Sequence, residues 1–181
     1  PVVLYADEIT YAAGADLLVD ALKTVCRRHQ CAQFVIAGDG PLKNDLEAGA
    51  RQAGIDHRCR FTGDISSDTF DSFMLAADFV VIPSRVRKNE TLARHSIANG
   101  RPVLTTHQSG IGCVVHGQNG LLTFDNPGSI TWGIQELLGN PLPGMLRRAA
   151  RQQTGAAAGH DAIAARHVTC YDSFLTQAAR D

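Results

Sequence analysis

Along the chain, short apolar runs alternate with amphipathic stretches at a steady rhythm. Val2–Ala6 reads as a strand, and Gly14–His29 sets Leu17, Leu18, Ala21, Leu22 and Val25 at helical spacing. Ala32–Ala37 is a buried strand ending at Gly38, and Leu42–Ala53 is a helix that Gly54 closes. The pattern then predicts a strand at Cys59–Thr62, a helix at Ser67–Ala77 capped by Ser66 or Ser67, and a strand at Phe79–Ile82 stopped by Pro83. A helix at Thr91–Ala98, closed by Asn99-Gly100, precedes strands at Val103–Thr105 and Gly120–Thr123, and helices fill the rest. Pro102 sits where no ladder donor is needed.

Strand–helix alternation of this kind implies right-handed βαβ units and a parallel sheet covered on both faces. The expected fold class is α/β: a doubly wound, Rossmann-like parallel sheet, with residues 1–181 as one domain and 155–181 as a C-terminal helical extension beyond an Ala/Gly-rich hinge at Gln153–Gly159. Ligands of such sheets bind beyond the carboxyl ends of the strands. Attention therefore falls on Asp7–Gly14, Gly38–Lys43, Thr62–Ser66, Pro83–Thr91 and Thr105–Cys113.

Composition adds exclusions. With 44% hydrophobic and 19% charged residues the 181-residue chain is ordinary globular material, not a disordered one. Seventeen basic against 18 acidic residues give a formal charge of −1, so nothing global drives the chain to nucleic acid or an anionic membrane. Cys26, Cys31, Cys59, Cys113 and Cys170 are odd in number and form no CxxC pair. They read as buried small hydrophobes in a reduced compartment. No run reaches a membrane span. The chain opens mid-strand at Pro1, which predicts a piece excised from a longer parent.

Two loops carry candidate chemistry. Gly38-Asp-Gly-Pro-Leu-Lys43 leaves a strand and opens a helix; it reads either as a phosphate- or ribose-facing loop or as a plain turn with Pro41 at the first helical position. Pro83–Thr91 reads either as a solvated loop or as an anion-binding rim, with Arg85, Arg87 and Lys88 beside a helix start that Asn89 caps. Glu90 and Arg94 stand one turn apart and suit an ion pair. The seven histidines show no metal spacing; His95 and His107 alone fall near the expected crevice.

Several stretches, taken in order, resemble the C-terminal, donor-binding half of the group 1 glycosyltransferases of GT-B fold. They are Gly14–Ala21, Phe34–Leu42, Arg60–Gly63, Ala76–Ser84, Ala98–Val103, Ser109–Ile111 and His116–Leu122, with a last helix ending near Tyr171. The resemblance implies a parent with two Rossmann-like domains and a nucleotide-sugar bound between them, only the second domain being present. It also implies departures. Where the family carries an Arg and a Lys for the donor diphosphate, this chain has Glu8 and Ala13. Where it carries two glutamates for sugar and ribose, this chain has Arg87 and His95; Cys113 replaces a further Glu and His160 a Trp. Losing one charge-assisted hydrogen bond costs about 1.5–3 kcal/mol, so losing both diphosphate cations removes more than about a thousandfold in donor affinity. Arg87 facing Glu8 also reads as a swapped ion pair across the crevice mouth.

The expectation is thus a donor-binding half that moves a hexose to a hydroxyl acceptor, with retention. Its nucleotide-sugar contacts would come from Gly38, Asp39, Gly40, Phe61, Thr62, Gly63, Ser84, Arg85, Arg87, Lys88, Glu90, Thr91, Leu92 and His95. The alternative is a non-catalytic module serving as scaffold or partner in glycan assembly. No cofactor beyond the nucleotide-sugar donor, no metal and no nucleic acid are expected. The partners are the nucleotide-sugar and the missing N-terminal Rossmann-like domain. The setting implied is cytoplasmic or at the inner membrane surface. The basic face of Arg147, Arg148 and Arg151 reads as plainly solvated, or else as a contact for membrane or the missing domain.

Overall fold

The computed structural model describes residues 1–86 and 89–139. Six strands form one parallel sheet in the order β3-β2-β1-β4-β5-β6. They are β1 (Val2–Ala6), β2 (Gln33–Ala37), β3 (Cys59–Gly63), β4 (Phe79–Ile82), β5 (Val103–Thr106) and β6 (Gly120–Thr123). Among the described residues five α-helices connect or follow them: α1 (Ala15–Arg28), α2 (Lys43–Gln52), α3 (Ser67–Ala76), α4 (Glu90–Ala98) and α5 (Pro127–Leu138). A 3-10 turn at Asp56–Arg58, absent from the sequence reading, delivers the chain into β3.

Strand side chains alternate between two faces, and each face has its own core. Val3, Tyr5, Phe34, Ile36, Phe79 and Val81 pack with Leu18 and Leu22 of α1, Leu46 of α2 and Ile130 and Ile134 of α5. Leu4, Val35, Val80 and Ile82 pack with Phe73 and Met74 of α3 and Leu92 and Ile97 of α4. Both faces of the central strands are covered, which is why they read as continuous apolar runs rather than alternating ones. The doubly wound, Rossmann-like expectation holds.

The order reverses direction between β1 and β4, the switch point where two neighbouring loops diverge to opposite faces and leave a crevice. Local chemistry differs from the sequence reading at three places. Pro41 does not open α2, which starts at Lys43 with Leu42 as its N-cap. Gly40 N–H is already taken by the Asp39 side chain at 2.7 Å, and Lys43 N–H by Gly40 O at 3.1 Å, so the turn is tightened before the helix begins. Cys26 and Cys59 are buried as expected, but Cys31, in the α1–β2 turn, is exposed. Asn89 precedes α4 in the left-handed region (φ 62°) and makes no side-chain cap bond, whereas Ser66 and Asn126 do cap α3 and α5. The extension at 155–181, the hinge, the basic face, Cys170 and His160 lie outside the described residues.

Candidate functional site: the carboxyl edge of the sheet

Three loops meet at the switch point, and glycine permits it. Gly14 has φ 74°, and a Cβ there would stand 2.0 Å from the Pro83 carbonyl oxygen. Gly38 has φ 132°, and a Cβ there would stand 2.1 Å from Asp7 O. Only a residue without Cβ lets these backbones touch. Backbone bonds then knit the loops: Asp7 N–H donates to Ala37 O, Ile9 N–H to Asp39 O at 2.8 Å, Gly38 N–H to Gly63 O at 2.9 Å, and Arg85 N–H to Ala12 O at 3.0 Å. The glycines that suggested a phosphate loop are thus also required by packing between loops.

The polar side chains of the edge are paired with each other. The Arg85 guanidinium donates to both carboxylate oxygens of Asp16, at 2.7 and 2.8 Å, and to Tyr11 O at 2.7 Å. It also lies 3.9 Å over the Tyr11 ring. The Asp16 hydrogen bond holds its pKa above the ordinary value against the opposing effect of burial. Lys43 Nζ donates to Asp39 Oδ2 at 3.0 Å; with the Gly40 amide, this bond holds the Asp39 carboxyl below the usual range and the ammonium above it. Glu90 accepts from Arg94, as the spacing predicts. Ser84 is fully buried, its Oγ donating to Val86 O at 2.7 Å while its own carbonyl accepts from Thr106 Oγ1.

Beside this knot opens a cleft of about 460 Å³ over the ends of β1, β2 and β3. Its walls include Glu8, Gly38, Asp39, Asp64, Ile65 and Phe70. Of the residues singled out from sequence, Gly38 and Asp39 line it, and Gly63 bridges to Gly38 beside it. Gly40, Phe61 and Thr62 are not in its lining, Phe61 being half-buried against the core of the opposite face and Thr62 Oγ1 donating to Gly63 O at 3.1 Å. His95 reaches the same rim from α4: its ring lies 5.5 Å from that of Phe70, and Nε2 stands 3.3 Å from Asp71 Oδ1. Leu92 buries its side chain in the core, leaving only its amide for the edge, and Thr91 is exposed. His107 stacks instead on Phe124, ring centroids 5.4 Å apart, over the ends of β5 and β6. Glu8 lies exposed on the cleft and Ala13 is fully buried. Arg87 and Lys88, and with them the swapped ion pair, lie outside the described residues.

Sequence reasoning missed Tyr11, Asp16, Phe70 and Asp71. Asp16 follows Gly14 by two positions and had a visible charge, but its partner is remote in sequence. The Phe70–His95 contact depends on how α3 packs beside α4, which no local spacing encodes.

A parallel sheet with its loops gathered at the switch point defines the doubly wound, Rossmann-like class of domain. The family model described as glycosyl transferases group 1 matches residues 1–140, and the chain belongs to that family. It is 33% identical over 138 residues to an uncharacterized glycosyltransferase of Methanocaldococcus jannaschii, covering 75% of this chain and 35% of that protein. It is 29% identical over 144 residues to the alpha-D-kanosaminyltransferase of Streptomyces kanamyceticus, covering 78% and 37%. The chain therefore spans about a third of the length of these relatives. Among solved structures it is similar to the C-terminal domain of a group 1 glycosyl transferase from Francisella tularensis, with TM-score 0.78, 21% identity and coverage of 83% and 82%. It is also similar to Anabaena HepE in complex with UDP, with TM-score 0.69, 20% identity and coverage of 99% and 49%.

Proposed function

We propose that the chain is the donor-binding half of a retaining hexosyltransferase, holding a nucleotide-sugar at the carboxyl edge while an N-terminal Rossmann-like domain supplies the acceptor site. The observation that carries this reading is the cleft beside the switch point that Gly38 and Asp39 line, with Gly63 bridged to Gly38 and His95 against its Phe70 wall. In this reading the cleft takes the uncharged part of the donor. Carboxylates accept hydrogen bonds well, so Asp39 and Asp64 suit ribose hydroxyls and base N–H groups. They repel phosphate, so the diphosphate lies away from them, toward the first turn of α4. Asn89 offers no side-chain bond to the amides there, and the helix N-terminus is the positive end. Arg87 and Lys88 flank that turn in sequence and serve as its cations. Arg85 and Ser84 act chiefly by holding the loop, since Asp16 and the backbone engage their polar groups. His95 faces ribose or sugar.

The work assigned to this half is positioning the donor and stabilising the leaving diphosphate. No cofactor or metal enters the proposal, and the parent acts in the cytoplasm or at the inner membrane surface. Among the described residues no helix is long and apolar enough to cross a membrane. Calorimetric titration with UDP, GDP, ADP and CMP, free and sugar-linked, tests the reading. One nucleotide should bind saturably and bind less well to Arg87→Ala and His95→Ala. Failure of every nucleotide, in this chain and in its two-domain parent, would turn the assignment to the non-catalytic module.

A further inference from the structure

We propose that the opposite, amino edge of the sheet carries a second ligand site that takes an anion of the phosphomonoester class. A cleft of about 520 Å³ opens there, between the ends of α1 and α2 and the 3-10 turn before β3. That is within the range of about 300–1,000 Å³ usual for small-molecule sites. Lys23, Arg27 and Arg58 line it, with the carboxamides of Gln30 and Gln52 and the apolar floor of Ile55. Among the described residues no carboxylate lines it.

The three cations are differently placed. Arg58 is fixed: Nη1 donates to Cys26 O at 2.8 Å, with a longer contact to His29 O at 3.4 Å, and Nε stands 3.4 Å from His57 Nε2. Its plane is thus set before any ligand arrives, which lowers the ordering cost of binding. Lys23 pairs with Asp20 at 2.9 Å, but both side chains are largely exposed, and such a pair is weak enough to exchange. Arg27 makes no ion pair or side-chain hydrogen bond among the described residues. Burial pushes the Cys26 thiol up, so it brings no competing negative charge. Asp56, close by in the 3-10 turn, is the nearest acid in sequence and points its carboxylate to within 4.0 Å of His57 Nδ1.

A structural explanation covers part of this. Cations at the end of a helix complement its dipole, which accounts for Arg27 in the last turn of α1. It does not account for Lys23 one turn earlier, nor for two carboxamides converging on the same space. Guanidinium, ammonium and amide N–H donors around a tetrahedral oxyanion form the usual phosphate environment. Among the described residues no aromatic ring lines the cleft, so a nucleobase finds no stacking platform from them. The recognised group is the phosphate itself, whether on a free sugar phosphate or a lipid headgroup.

The test is an amide-resolved NMR titration of the 181-residue chain with inorganic phosphate at low salt, paired with sedimentation against phosphatidylcholine vesicles with and without phosphatidic acid. The expected result is saturable shifts at Lys23, Arg27, Gln30 and Gln52, weakened about tenfold by Arg27→Gln and similarly by Lys23→Gln. Both variants are on the surface and leave the fold intact, whereas Arg94→Gln on α4 serves as the control that binds normally. Co-sedimentation that needs phosphatidic acid and Arg27 assigns a lipid headgroup; phosphate binding without it assigns a soluble phosphate. Absence of saturable shifts, or shifts indifferent to both substitutions, overturns the proposal. Nucleotide shifts would fall on the carboxyl edge, so either site can fail without the other.

Discussion

The two edges of one sheet handle charge in opposite ways. At the carboxyl edge Arg85, Lys43 and Arg94 are each paired with a carboxylate, Asp16, Asp39 and Glu90 respectively. At the amino edge Lys23, Arg27 and Arg58 converge on a cleft with no acid among its described lining residues: Lys23 keeps an exposed pair with Asp20, Arg58 is held by backbone carbonyls, and Arg27 has no carboxylate among the described residues. The sequence drew attention to the first edge, where glycines and arginines cluster along the chain. The second has no motif, because its residues come from three separate segments. How available a basic residue is to a ligand depends on the partners it already has, and several of those partners are remote in sequence.

The largest effect should come from breaking the knot that makes the carboxyl edge rigid. Gly14→Ala forces a Cβ against Pro83 O at a positive φ, and should cost about 2–4 kcal/mol in chemical denaturation. An unchanged denaturation midpoint would mean the loops do not need this contact. Next, Arg85→Ala and Asp16→Asn should each cost about 1–2 kcal/mol, the partial exposure of the pair setting the lower figure. A double-mutant cycle should return a clearly non-zero coupling; additive losses would return Arg85 to the pool of free cations.

Cysteine reactivity sharpens the map. Burial pushes the Cys59 thiol up to about 12, so it should resist a maleimide until the protein unfolds, while Cys31, the exposed one of the described cysteines, reacts ahead of Cys26, Cys59 and Cys113. Labelling read by peptide mass would contradict the packing of β3 if Cys59 reacted early. The smallest effect concerns pH. Because Lys43 and the Gly40 amide hold the Asp39 carboxyl below its ordinary value, the stability it adds is complete above about pH 4 and disappears as pH falls through the depressed value. The thermal midpoints of the wild type and Asp39→Asn should therefore differ slightly at neutral pH and converge in acid.

Much of the fold was legible because buried parallel strands and amphipathic helices write distinct periods. β1 and β4 and most helix limits follow from Val2–Ala6, Phe79–Ile82 and the capping residues alone. The 3-10 turn at Asp56–Arg58 was not legible, having no period of its own. At the site, the positions of Gly38–Gly40 and Phe61–Gly63 were readable as strand ends. The state of Arg85 was not, since its Asp16 partner and its Tyr11 platform lie about seventy residues away. The exposed Cys31 shows the same limit: free cysteine is usually buried, but a turn residue takes the exposure of its turn.

The central claim, that a nucleotide binds at the carboxyl edge, is tested most directly by amide-resolved NMR on this chain with the nucleotide that calorimetry selects. The account predicts saturable shifts at Gly38–Gly40, Phe61–Gly63 and the first turn of α4, with His95 among them. Shifts confined to the amino edge around Arg27, or none with any nucleotide in either this chain or its two-domain parent, would contradict it.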